Sequence, residues 1–184
     1  MSKTYTYEDI LALFAETDRR MKETDRRMKD TERYIKELGK QIGGVNNKFG
    51  EFTENLFMNS LEKLLNDRFS VIQFTPNAYT RIKDVGDIEI DALGIVNGDI
   101  NSVYVTEIKT KFDKDAIPQL EKIMSKMNTF YPDFKDKKKF GIIAVPNLKS
   151  EHKTQIMNAG FIPVSLKDDL AIVKSPDDFV PKNF

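Results

Sequence analysis

Apolar residues recur at alternating steps of three and four through the first third of the chain. Phe14, Met21, Met28, Ile35, Ile42, Phe49 and Leu56 share one position of a seven-residue repeat. Thr17, Thr24, Thr31, Leu38, Val45 and Phe52 fall three residues later. These are the a and d positions of a coiled-coil seam. The repeat is close to literal: Glu16-Thr-Asp-Arg-Arg-Met-Lys22 is followed by Glu23-Thr-Asp-Arg-Arg-Met-Lys29 and Asp30-Thr-Glu-Arg-Tyr-Ile-Lys36. Threonine at three successive d positions weakens the first half, because a buried hydroxyl must find an acceptor. Gly43-Gly44 is expected to mark a hinge or a helix end, each glycine costing about 1 kcal/mol against alanine inside a helix. A second helical pattern then runs from about Asn46 to Asn66.

Beyond it the period changes. Phe69–Phe74 reads as a strand and Pro76-Asn77 as a turn. Asp87-Ile88-Glu89-Ile90-Asp91-Ala92-Leu93 alternates as a half-buried strand within a stretch from about Val85 to Val96. A further strand covers about Ser102 to Lys109. Asp113 and Asp115 suit the first turn of a helix running to about Phe130, stopped before Pro132. Phe140-Gly-Ile-Ile-Ala-Val145 is continuously apolar, the mark of a strand covered on both faces. A helix near Ser150–Asn158 ends at Gly160, and short strands at Phe161–Val164 and Leu170–Val173 close the chain. The pattern predicts an α/β domain over residues 44–184, a mixed sheet flanked by helices, preceded by a coiled-coil oligomerisation helix over 1–43.

Composition narrows the chemistry. Lys+Arg and Asp+Glu both number 29, so no global field draws the protein to a polyanion or a membrane, and such binding must come from local patches. No cysteine is present and His152 is the sole histidine, which excludes thiolate zinc sites, thiol catalysis and histidine-rich metal centres. The start of the chain has no basic segment followed by an apolar run, and no stretch is long enough to span a bilayer. The expected compartment is the cytoplasm.

The strand Val103-Tyr-Val-Thr-Glu-Ile-Lys109 carries the sharpest signal. Side chains alternate along a strand, so Glu107 and Lys109 share a face with Val103 and Val105. A carboxylate and an ammonium on an apolar face need compensation, since burying them unpaired costs several kcal/mol. With Asp91 on the preceding strand, the three residues form a set that can hold a divalent cation and an attacking water beside a phosphodiester.

An acid on the second strand and Glu-x-Lys on the third, in this order of elements, resembles the PD-(D/E)XK nuclease superfamily over about Asn46 to Val145. The whole chain, coil included, looks like an uncharacterised prokaryotic branch of it. Ile90 replaces the proline that often precedes the first acid, and Gln119-Leu-Glu-Lys-Ile123 does not complete the Gln-x-x-x-Tyr element of the helicase-associated branch. The resemblance implies a restriction-endonuclease-like fold and metal-dependent hydrolysis of DNA or RNA. Asp91 and Glu107 would ligate Mg²⁺ or Mn²⁺ with the Ile108 carbonyl, and Lys109 would stabilise the nucleophile. The alternative is a catalytically silent relative that binds or acts as a scaffold.

Helical geometry adds Glu54. It lies between Leu61 and Leu65 around the helix, in line with Gly50 and Phe57, on the row expected to face the sheet. A carboxylate there needs a partner, either the metal or Lys109, and the superfamily often places a glutamate from this helix in its site. Gln119, Lys111 and the basic run containing Lys137, Lys138 and Lys139 are the candidate nucleic-acid contacts. In the coil, Asp18, Asp25 and Glu32 at e face Arg20 and Arg27 at g only in a parallel pairing, so a parallel homodimer is expected.

Overall fold

The computed structural model describes residues 6–184, apart from the side chains at 9–12, 43, 46, 47 and 49. Internal contacts divide the chain into two units, Met1–Lys48 and Phe49–Phe184. A single helix, α1 (Tyr7–Phe69), contributes to both.

In the first unit the heptads stabilise their own helix. Glu16, Asp18 and Glu23 pair with Arg20, Lys22 and Arg27 at i,i+4 spacing, at 2.6, 2.8 and 2.7 Å. Each such exposed pair contributes about 0.3–0.5 kcal/mol. Thr17, Thr24 and Thr31 donate their hydroxyls to the carbonyls of Leu13, Arg20 and Arg27, so the d-position threonines find acceptors within their own helix. The interruption expected at Gly43-Gly44 does not occur. α1 runs through both glycines, because their cost is a preference that helical neighbours on either side can override.

The second unit is built on a six-stranded sheet in the order β1-β2-β3-β4-β5-β6. Its strands are β1 (Gln73–Ile82), β2 (Gly86–Val96), β3 (Ser102–Ile108), β4 (Lys138–Ala144), β5 (Ile162–Lys167) and β6 (Leu170–Val173). The β1–β2, β2–β3 and β5–β6 pairs are antiparallel, while β3–β4 and β4–β5 are parallel. The parallel steps are bridged by helices α2 (Ala116–Phe130) and α3 (Ser150–Asn158). One sheet face packs Val103, Val105 and Ile143 against Leu120 and Met127 of α2 and Ile156 of α3. The other packs Tyr104, Ile142 and Val164 against Phe57, Leu61 and Leu65 of α1. Covered on both sides, β3 is buried along its whole length. The architecture is the mixed α/β sheet flanked by helices that the pattern predicts.

Three boundaries differ. Phe69 ends α1 instead of opening a strand, since its ring packs on Tyr104 with centroids 4.8 Å apart and Ser70 then breaks the helix at φ 58°. Pro76-Asn77 lies inside β1, where an edge strand tolerates proline, and the hairpin turns instead at residues 83–85. The alternation of β2 also breaks. Ile88, Ile90 and Leu93 all pack on the α2 side, whereas Ala92 and Val96 pack on the α1 side. Faces therefore switch at Asp91.

Candidate active site

The switch at Asp91 opens the sheet. The β2–β3 ladder ends at Ala92 opposite Thr106, and the β1–β2 ladder passes from Pro76–Ala92 to Ala78–Ile90 without pairing Asp91. The Asp91 carboxylate enters the gap, where Oδ2 accepts the backbone N–H of Ile108 at 2.6 Å. A side chain thus replaces a ladder bond at the end of β3. Across the strand, the Lys109 N–H donates to the Ala144 carbonyl of the parallel neighbour at 2.9 Å, which fixes the chain just after Glu107.

Glu107 is 3% exposed. Its Oε1 accepts from Lys109 Nζ at 2.8 Å and from Gln119 Nε2, and Lys109 Nζ also donates to Gln119 Oε1 at 2.7 Å. The three side chains close a ring in which the amide of Gln119 offers its oxygen to the ammonium and its nitrogen to the carboxylate. Gln119 sits three residues after the buried Ala116 and one before the buried Leu120, on the turn of α2 nearest the end of β3.

Three carboxylates share this region with one ammonium. Burial, then the Asp91 charge, push Glu107 up to about 7 against the pull of Lys109. Asp91 is also raised, first by burial, with the Ile108 N–H and Lys109 acting in the opposite direction. Glu54 is raised by burial and then by the charges of Asp91, Glu89 and Glu51, again opposed by Lys109. The Glu54 charge in turn adds a smaller upward push to Glu107, so the structure brings Glu54 into the same field as the strand residues. Among the described residues no three acids or histidines already stand in a ready coordination arrangement. Asp91, Glu107 and Glu54 offer oxygen donors only, the kind that a hard divalent cation would take.

The other sequence candidates separate. Lys111 is exposed in the segment directly after β3, on the same end of the sheet as Glu107. Lys138 pairs in register with Ser102, at the opposite end of β3, roughly 17 Å along the strand from Glu107. Lys137 donates to the Val96 carbonyl and to the side chains of Asn97 and Asn101, at 3.0, 2.6 and 2.8 Å. Lys139 is buried and donates to the carbonyls of Lys135 and Lys137, and burial lowers its pKa. Lys137 and Lys139 are thus committed to holding the β2–β3 turn and the entry to β4. The bridging role of Gln119 is the site feature that pattern reading missed. Its one signal was a polar residue beside the apolar Leu120 in the first turns of α2. Asp87 and Glu89 are exposed, and the Glu89 charge adds to the upward push on Glu54 and Asp91.

The fold and site together define a mixed α/β protein with a carboxylate–lysine centre where two antiparallel strands part. No protein-family model matches the chain, and no curated protein does. Among solved structures it is similar to EndoMS in complex with double-stranded DNA, at 21% identity over 61% of this chain and 45% of that one, TM-score 0.37. It is similar to protein VC1899 from Vibrio cholerae, at 19% identity over 63% and 30%, TM-score 0.45. It also resembles a repair endonuclease from Pyrococcus abyssi, at 20% identity over 60% and 46%, TM-score 0.38. The chain spans less than half the length of each of these proteins. Among the described residues no helix is long and apolar enough to cross a membrane.

Proposed function

We propose that the protein hydrolyses phosphodiester bonds of nucleic acid with the help of Mg²⁺ or Mn²⁺. The observation that carries this reading is the convergence of Asp91, Glu107 and Lys109 where β2 and β3 part, with Glu54 in the same field. Asp91, Glu107, Glu54 and the Ile108 carbonyl would hold the cation. When bound, it would polarise the phosphate and increase the acidity of water. Lys109 holds the attacking water and stabilises the negative charge that develops on it. The water oxygen bonds to phosphorus, one P–O ester bond breaks, and a proton ends on the departing sugar oxygen. Gln119 keeps the Lys109 ammonium and the Glu107 carboxylate at fixed separation, so the charge is in place before the substrate arrives.

Lys111, exposed beside the site, is the lysine best placed to meet a substrate phosphate. The cytoplasm is the compartment this reading assigns. The test is cleavage of DNA and RNA substrates with Mg²⁺ or Mn²⁺ by the parent protein and by Lys109→Ala. Loss of one charge-stabilising group lowers the rate by about 10²–10³, and the variant should keep its circular dichroism spectrum. Equal rates for parent, Lys109→Ala and Glu107→Ala would show that this site does not carry the activity.

A further inference from the structure

Within the second unit, α1 buries one apolar face under the sheet and leaves Phe52 exposed on the opposite side. Phe57, Leu61 and Leu65 are fully buried under the sheet, whereas Phe52 is 60% exposed. At 100° per residue, the three buried residues lie about 140°, 180° and 220° around the helix from Phe52. Asn59 and Lys63, which follow Phe52 on its own side, are exposed as well, so the chain's own sheet leaves that side uncovered. Glu54 lies about 200° around from Phe52, on the side of the sheet and the site.

Phe52 occupies the d position of the same heptad register as Leu38 and Val45, both exposed, with Ile42 at a. A register of this kind is complementary to itself. The charge rows favour a parallel copy, in which Arg20 and Arg27 at g meet Asp25 and Glu32 at e. The in-chain pairs these arginines make with Glu16 and Glu23 are exposed and easily exchanged. The occupant of the Phe52 face is therefore a second copy of this chain.

We propose that two copies join in parallel through the Phe52 face, so that their two sites open on opposite outer sides of the pair. The twofold axis of a parallel pair runs between the helices, and each Glu54 points away from it. Two sites arranged in this way cannot reach both strands of one duplex at one place. Each centre works alone, and duplex DNA is nicked. The nicking part rests on the hydrolysis proposed above, and the pairing does not.

Two experiments separate these claims. The chain has no cysteine, so single thiols report proximity without background. Under oxidation, full-length Phe52→Cys forms disulfide-linked dimers and Glu54→Cys does not, because a disulfide needs Cα atoms within about 7 Å. A Phe52→Cys protein that stays monomeric, or a Glu54→Cys protein that cross-links as readily, overturns the pairing. On supercoiled plasmid, open circles accumulate before linear product, and mixing in Lys109→Ala subunits lowers the rate in proportion to their fraction. Linear DNA as the first product, or a loss steeper than proportional, overturns the back-to-back arrangement. If no plasmid is cut, nicking fails, the DNA and RNA assays above decide the hydrolysis reading, and the cross-links alone decide the pairing.

Discussion

Glu107 is buried, and burial first, then the charge of Asp91, raises its pKa against the pull of Lys109. The consequence for stability has a definite sign. With a folded pKa of about 7 against an ordinary 4.5, the native state holds a proton between those values that the unfolded chain releases. Its contribution is fully present below pH 4.5 and is lost as pH rises through 7. Asp91 and Glu54, also raised, add with the same sign. Metal-free protein should therefore melt at a higher temperature at pH 5.5 than at pH 8. From pH 5.5 to the folded pKa is about 1.5 pH units, so at ~1.4 kcal/mol per unit the difference due to Glu107 is about 2 kcal/mol. Glu107→Gln should flatten the profile in differential scanning calorimetry. An unchanged profile would mean that Glu107 is not the titrating group. At this scale the sequence was readable where chemistry is local. Glu-x-Lys on an apolar strand identifies itself, because two charges two residues apart must share a face. The switch of faces at Asp91 was not readable, since Ile88 to Leu93 alternates cleanly on paper and only the parting of β2 from β3 ends the alternation. The ring through Gln119 joins residues from a strand and the following helix, and no local pattern encodes that closure.

Among the elements, α1 shows where propensity misleads. Gly43-Gly44 reads as a break, yet the helix continues through it, and a Cβ built on Gly44 would meet nothing within 4 Å. Gly44→Ala should thus stabilise the helix by about 1 kcal/mol. Far-UV ellipticity at 222 nm and resistance to limited proteolysis near residue 44 should both increase. A loss of helicity would indicate that the glycines are needed for a bend. The heptad pattern identified the helix over several turns, because a long repeat averages out single unfavourable residues. Strand ends were harder. Phe69 is apolar and followed closely by Val71 and Ile72, so it looks like a strand residue, but its packing partner is Tyr104 in the middle of the sheet. Pro76 reads as a turn until β1 is known to lie at the sheet edge.

For the molecule as a whole, the class of fold was legible from the succession of periods. Whole-molecule charge placement was not. Lys137, Lys138 and Lys139 form the most basic run after the helix and invite a phosphate, but the parallel register of β3 and β4 carries them to the far end of the sheet from Glu107. Two of the three hold backbone carbonyls there. Lys111, a candidate contact from the same reading, is the one of these lysines that is exposed directly after β3. The order of strands decides which loops share an edge, and strand order is a long-range property. The same topology gathers the acids of β2, β3 and α1 at one end, where on the proposed reading a cation would offset their repulsion. The most direct test of that central claim is a crystal grown or soaked with Mn²⁺ and measured at a wavelength where manganese scatters anomalously. The account predicts one strong anomalous peak between the carboxylates of Asp91 and Glu107, and its loss in Glu107→Gln crystals. A fully soaked crystal with no peak there, or with manganese bound only elsewhere, would contradict it.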